Sequence, residues 1–68
     1  MKFLSRKEVC HLVQLSRAEI ARREALGTFP LGVKLGEHHN SRVVYVLAEV
    51  LEWMNDQILI RDKTHAPV

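Results

Sequence analysis

The sequence repeats one helix-start signal within a short distance near its N-terminus. A serine is followed three positions later by a glutamate at Ser5, and again at Ser16, which lies 11 residues further along. In this capping box the serine oxygen accepts a hydrogen bond from the backbone N–H of the glutamate, whose carboxylate accepts one from the backbone N–H of the serine. The spacing leaves room only for a short first helix and a tight turn. We therefore predict helices over residues 6–13 and about 17–26.

The two predicted helices differ in how much apolar surface they carry. At about 100° per residue, the apolar side chains of the first helix share one arc, namely Val9, Cys10, Leu12 and Val13. The second helix has one large apolar residue, Ile20, before Leu26, and alanines stand between them. Gly27 follows at the position where a left-handed residue commonly ends a helix. Small side chains and three arginines suit the second helix to close approach to another surface.

Past Thr28 the pattern changes from helical to extended. Alternating apolar residues over 31–35 predict one strand, and the β-branched and aromatic run over 42–46 predicts a second. The turn-rich segment 36–41 joins the two strands, so the sequence predicts a β-hairpin with a loop of about five or six residues.

The last segment, from Ala48 to about Ile60, is helical again. Its main apolar arc consists of Leu47, Val50, Leu51, Met54 and Ile58. Trp53 and Ile60 lie on a second stripe, away from that arc. The element order predicts a mainly α fold with a small β-hairpin, a winged helix-turn-helix (helix–turn–helix–β-hairpin–helix) over residues 1–62. Residues 63–68 are expected to form a frayed tail.

Length and composition narrow the functional class. A chain of 68 residues buries only about 60% of its unfolded surface, so we expect a binding module and no enzyme. Its single cysteine, Cys10, cannot close an internal disulfide and is expected to be a small buried hydrophobe. No segment approaches the ~20 apolar residues of a membrane span, and no signal peptide is evident. We expect a cytoplasmic, nucleoid-associated protein without a membrane partner.

Metal and cofactor chemistry is not expected either. His38 and His39 are adjacent, but a zinc site needs about four convergent ligands, and Cys10 belongs to the apolar arc of the first helix. The sequence has no Ser/His/Asp set, phosphate-cradling glycine loop or paired-carboxylate pocket. We therefore expect no metal, no cofactor and no small-molecule substrate.

Charge is divided unevenly along the chain. Residues 1–34 hold seven Lys or Arg against three Glu, whereas residues 35–68 hold three against five acids. A basic N-terminal half favours a polyanionic partner, and in a helix-turn-helix the second helix enters the major groove of double-stranded DNA. An arginine there can donate two hydrogen bonds to guanine, and a hairpin wing can contact phosphates or the minor groove. The candidate DNA-binding residues are Ser16, Arg17, Ala21 and Arg22 on the helix, and Lys34, His39, Asn40 and Arg42 on the hairpin.

Several motifs carry a family resemblance. They are Leu15-Ser16-Arg17, Gly27-Thr28-Phe29-Pro30, Val33-Lys34-Leu35-Gly36 and Glu52-Trp53. Over about residues 3–60 the chain resembles the AlpA family, which comprises small prophage-encoded regulators with a MerR-like winged helix-turn-helix, related to excisionases. The resemblance implies that segment 16–22 belongs to the recognition helix and that loop 36–42 is the wing.

The chain departs from the family pattern at a few positions. Arg23 and Glu24 stand where the family usually has apolar residues, and Tyr45 stands where it usually has Trp. A capping residue is common in the family where this chain has Leu47-Ala48. We therefore expect the back of the recognition helix to pack differently and add Arg23 to the candidate DNA contacts, as a phosphate ligand.

These observations favour a sequence-specific DNA-binding transcriptional regulator of prophage or mobile-element genes. Its recognition helix, 17–26, is expected in the major groove, with the 36–42 wing on the backbone or minor groove. An excisionase, which bends attachment-site DNA and directs a tyrosine recombinase, would use the same fold. So would the DNA-recognition domain of a phage packaging subunit, which is expected to carry a long C-terminal extension.

An alternative of another class is a protein-binding adaptor that uses the C-terminal helix. The stripe of Trp53 and Ile60 is then a candidate contact for further copies of the chain or for a recombinase. Salt dependence separates the two classes, because binding through several phosphates weakens steeply as salt rises.

Overall fold

The computed structural model describes residues 1–38 and 41–64. Its elements, in chain order, are β1 (Phe3–Ser5), α1 (Arg6–Val13), α2 (Arg17–Ala25), β2 (Val33–Lys34), β3 (Val43–Val46) and α3 (Leu47–Thr64). The strands form an antiparallel sheet in the order β1-β3-β2. The predicted fold class is confirmed. The expected contacts of His39 and Asn40 lie outside the described residues. Of the expected tail over 63–68, Lys63 and Thr64 belong to α3, and 65–68 lie outside the described residues.

Both capping boxes form as predicted. The Ser5 hydroxyl accepts from the Glu8 N–H at 3.1 Å, and the Glu8 carboxylate accepts from the Ser5 N–H at 2.8 Å. The same pair of bonds joins Ser16 and Glu19, at 3.2 and 3.3 Å. The predicted helix starts are therefore confirmed, because each is set by atoms three residues apart.

The ends of the two short helices use left-handed residues. Gly27 follows α2 with φ of +75°, as its position in the sequence predicts. Gln14 follows α1 with φ of 59°, an uncommon conformation for a residue with a side chain. Its amide group donates to the carbonyl of His11 at 2.7 Å, which holds the tight turn between the helices.

Strand β1 has no counterpart in the sequence prediction. Leu4 pairs with Tyr45, and the flanking residues of β1 pair with Val46 and Val44, so β3 becomes the central strand. A three-residue strand has too few positions to show an alternating pattern, and its partner lies about 40 residues away in the chain. β1 places the start of α1 beside the start of β3, and this juxtaposition shapes the candidate site.

The core is one cluster to which the sheet and all three helices contribute. Its buried members are Leu4, Val9, Ile20, Phe29, Tyr45 and Val50. Cys10 packs against this cluster only partly buried, and Leu12 is exposed, so the predicted apolar arc of α1 is narrower than expected.

Two of the departures from the family pattern contact each other in the core. The hydroxyl of fully buried Tyr45 donates to the carboxylate of Glu24. The other Glu24 oxygen accepts from the Gly32 N–H at 3.4 Å. The C-terminal half of α2 is therefore joined by hydrogen bonds to β3 and to the segment before β2.

Helix α3 begins at Leu47, directly after β3, and ends at Thr64, beyond the predicted end near Ile60. Its first N–H, from Leu47, donates to the carbonyl of Lys2 at 2.8 Å, so the residue before β1 supplies part of the cap that the sequence lacks. Val50 is buried and Met54 half-buried, but every described residue from Asn55 onward is exposed. The predicted main arc is therefore wrong for Leu51, which is 48% exposed, and for Ile58, because α3 extends past the core.

Trp53 joins the core instead of standing apart from it. Its ring centroid lies 4.7 Å from that of Phe29 in an edge-to-face arrangement. The indole N–H donates to the carbonyl of Thr28 at 2.7 Å. One side of Trp53 thus holds α3 against the segment that follows α2.

Candidate nucleic-acid interface

Helix α2 presents a low, exposed surface on the side away from the core. Ile20 is buried and attaches the helix to the core, while Ala18, Ala21 and Arg22 project on the opposite side and are exposed. Arg17, the first residue of α2, is exposed at the edge of this surface, next to the exposed cap Ser16. Methyl side chains allow the helix backbone to approach another surface closely, so this face has the shape expected of a recognition helix.

A basic cleft lies beside the first turn of α2. It has a volume of about 450 Å³ and is lined by Ser5, Arg6, Lys7, Arg17, Ser41, Arg42 and Val43. The cleft brings together two predicted DNA contacts, Arg17 of α2 and Arg42 next to β3. The start of α1 lines the same cleft, because the pairing of β1 with β3 places it there.

Arg6 and Lys7 are functional candidates that the sequence reasoning missed. The helical pattern places them only on the polar side of α1, where solvated cations are common. One local signal was available: both occupy the first turn of a helix, the end where the helix dipole disfavours positive charge. Their position in the cleft depends on the pairing of β1 with β3.

The field around the cleft is positive. Hydrogen bonds with the backbone N–H and then the hydroxyl of Ser5 hold the pKa of Glu8 below its ordinary value, and the charges of Lys2 and Arg42 lower it further. Within residues 1–38 and 41–64 the structure has one ion pair, Arg61–Asp62 at the far end of α3. The four cations of the cleft therefore have no carboxylate partner among the described residues.

Lys34 is exposed on β2 and does not line the cleft. At the base of the wing the N–H of Leu35 donates to the carbonyl of Arg42 at 2.8 Å. A Cβ atom at Gly36 would lie 2.5 Å from the Ser41 hydroxyl oxygen, so the two ends of the loop approach each other closely here. The wing thus leaves β2 and returns to β3 next to the cleft.

Arg23 differs from the other arginines of α2. It is half-buried, and its guanidinium carbon lies 6.0 Å from the centre of the Trp53 ring. Its Nε is buried without a hydrogen-bond partner among the described residues. Arg23 therefore faces α3, and its expected phosphate contact stays a prediction.

A second surface, the acidic groove, lies past the C-terminal end of α2. It has a volume of about 860 Å³ and runs between residues 27–33 and one side of α3. Both predicted partner residues, Trp53 and Ile60, line it, together with Leu31, which is 67% exposed. Its charged lining residues are Glu49, Glu52 and Asp56, and no Lys or Arg lines it. The basic cleft and the acidic groove therefore lie at opposite ends of α2.

The described part of the chain also bears on membrane insertion and metal binding. No helix there is both long enough and apolar enough to cross a membrane. No three His, Cys, Asp or Glu side chains of residues 1–38 and 41–64 are grouped so that they could hold a metal ion.

A model of a known protein family matches most of the chain. The family model described as prophage CP4-57 regulatory protein (AlpA) matches residues 2–58. The matched range contains β1, both short helices, the hairpin and most of α3, and with them every residue of the basic cleft. No curated protein and no solved structure matches the chain.

Proposed function

The chain belongs to the AlpA family of prophage regulatory proteins, and on this basis we propose that it binds duplex DNA at specific sequences and regulates transcription of prophage or mobile-element genes. The observation that carries the proposal is the continuity between the exposed face of α2 and the basic cleft. A side-chain set for base recognition and one for the DNA backbone thus lie next to each other.

In the proposed complex the first half of α2 lies in the major groove. Arg17 and Arg22 donate to guanine acceptors, and Ser16 offers a further short polar contact, while Ala21 allows close approach. The wing over 36–42 lies on the backbone or in the minor groove, with Lys34 and Arg42 on phosphates. Backbone contacts of this kind position the protein, and the contacts to bases give the sequence preference.

The test begins with selection of bound sequences from random duplex DNA. Arg17→Ala and Arg22→Ala should each weaken binding to the selected site by about 1–3 kcal/mol and relax the preference at one position. Arg61→Ala, which removes an arginine paired with Asp62 at the far end of α3, is the matched control and should change neither quantity. Equal losses on selected and random duplexes would show that the two arginines contact phosphate only.

A second candidate function includes a protein partner. Trp53 and Ile60 line the acidic groove together with three carboxylates, which supports a contact with a recombinase or with further copies on repeated sites. An excisionase would bind DNA through the same face and use such a contact to direct a tyrosine recombinase. A recombination assay with and without the protein separates excisionase from regulator. If the chain instead bound a protein partner with an affinity that barely changes with salt concentration, and bound no duplex, the adaptor would be favoured.

A further inference from the structure

We propose that the basic cleft is a seat for one phosphodiester of the DNA backbone, held by Arg6, Lys7 and Arg42, with Arg17 leading from the seat to the base edges. This inference rests on the proposed DNA binding. It adds a contact that the sequence pattern does not reveal: the start of α1 is part of the interface.

Four cationic side chains converge on the basic cleft. The cations of the cleft come from three separate parts of the chain, at 6–7, 17 and 42. Like charges repel one another, and among the described residues no acid pairs with any of them. An anion in the cleft would remove that repulsion, and the cleft is open to a ligand the size of a phosphodiester.

Three of these cations lie at the positive ends of helix dipoles. Arg6 is the first residue of α1 and Arg17 the first residue of α2, with Lys7 next to Arg6. Cations destabilise this end of a helix, whereas anions bind there favourably. Each first turn also carries the glutamate of its capping box, Glu8 or Glu19, and the cations that precede these glutamates line one cleft. A bound phosphate would interact favourably with the cations and with the positive ends of both helices.

The groups that line the cleft are of the kinds that bind phosphate. Guanidinium groups match phosphate oxygens with two parallel N–H donors, and a lysine adds a point charge. The hydroxyls of Ser5 and Ser41 also line the cleft. Because Arg17 begins α2, a phosphate in the seat would set how deeply the recognition helix enters the groove.

The experiment compares the double variant Arg6→Ala, Lys7→Ala with the control Arg61→Ala, Lys63→Ala. The control removes the same charge from the end of α3, so long-range attraction changes equally. Binding of the selected and a random duplex is measured by fluorescence anisotropy across a range of salt concentrations.

The affinity of the double variant for both duplexes should fall roughly tenfold to a hundredfold near 0.1 M salt. Its salt slope, which is the slope of the logarithm of the binding constant against the logarithm of the salt concentration, should be shallower by about two. The control should keep the wild-type slope, and so should the exchange Arg6→Lys, Lys7→Arg. Without DNA, the double variant should melt a few degrees higher than the wild type, because cations are removed from the start of α1.

Other outcomes overturn the inference. A wild-type slope in the double variant would place the start of α1 away from the DNA. A lower melting temperature with an unchanged slope would give Arg6 and Lys7 a structural role. A third outcome combines a wild-type salt slope in the double variant with a higher melting temperature of the wild type in sub-millimolar inorganic phosphate at constant ionic strength. It would show that the cleft binds the free anion instead of the DNA backbone. Absence of wild-type binding to any duplex would instead refute the proposed function itself.

Discussion

Tyr45→Phe tests whether a polar contact inside the core holds α2 to the sheet. The Tyr45 side chain is fully buried, and its hydroxyl donates to the half-buried carboxylate of Glu24. Phenylalanine keeps the ring and its edge contact with Phe29, whose centroid lies 6.1 Å away. The Gly32 N–H, at 3.4 Å, then remains as the hydrogen-bond donor to that carboxylate in the described structure.

The expected loss follows from the charge on the acceptor. A hydrogen bond to a charged group contributes about 1.5–3 kcal/mol, and in a domain of this size each kcal/mol shifts the melting temperature by about 4–8 °C. We therefore expect Tyr45→Phe to lower the melting temperature by roughly 6–24 °C at pH 7, followed by circular dichroism. Glu24→Leu combined with Tyr45→Phe should lose less than Tyr45→Phe alone, because no buried carboxylate is left short of a donor.

The pH dependence gives a second readout. Burial raises the pKa of Tyr45 above its ordinary value, and the Glu24 carboxylate raises it further, while the Arg6 guanidinium acts in the opposite direction. The fold therefore favours the protonated phenol, and this stability is fully present below the ordinary pKa of about 10. It is lost as the pH rises through the raised pKa. The wild type should lose stability there, and Tyr45→Phe should not show that part of the loss. The reasoning would be refuted if the free energy of unfolding of Tyr45→Phe lay within about 0.5 kcal/mol of the wild-type value and fell with rising alkaline pH as that of the wild type does.

Three further substitutions test other parts of the account. Ser16→Ala removes the acceptor for the Glu19 N–H and should cost about 0.5–2 kcal/mol in a urea melt; no loss would mean that the cap of α2 does not contribute. Trp53→Phe should cost about 0.5–1.5 kcal/mol, since the hydrogen bond to Thr28 at 2.7 Å is lost while a ring remains beside the core; wild-type stability would argue against that bond. Ile60→Asp, at a position 56% exposed, should leave the melting temperature nearly unchanged and abolish cooperative binding to repeated sites. A large drop in melting temperature with cooperativity intact would place Ile60 in the core.

Much of the helix-turn-helix follows from the sequence, because its determinants are local. The capping boxes of Ser5 and Ser16 join atoms three residues apart, so they form wherever the chain is placed. Gly27 supplies a left-handed conformation without steric cost. The hairpin likewise follows from the alternating residues 31–35, the β-branched run 42–46 and the turn-rich loop, although β2 covers only Val33–Lys34. Helix α2 and its exposed alanine face were therefore predictable before any tertiary contact was known.

The tertiary structure decided the features that depend on distant pairs. The pairing of β1 with β3 joins residues about 40 positions apart and has no local sequence signal. By its position in α3, Trp53 lies on a stripe away from the main apolar arc. In the structure the segment after α2 packs against it, so Trp53 becomes part of the core. The same pairing places Arg6 beside Arg42. A cation in the first turn of an isolated helix is only an unfavourable charge, and it becomes part of a binding cleft once the sheet brings cations from elsewhere in the chain to the same place.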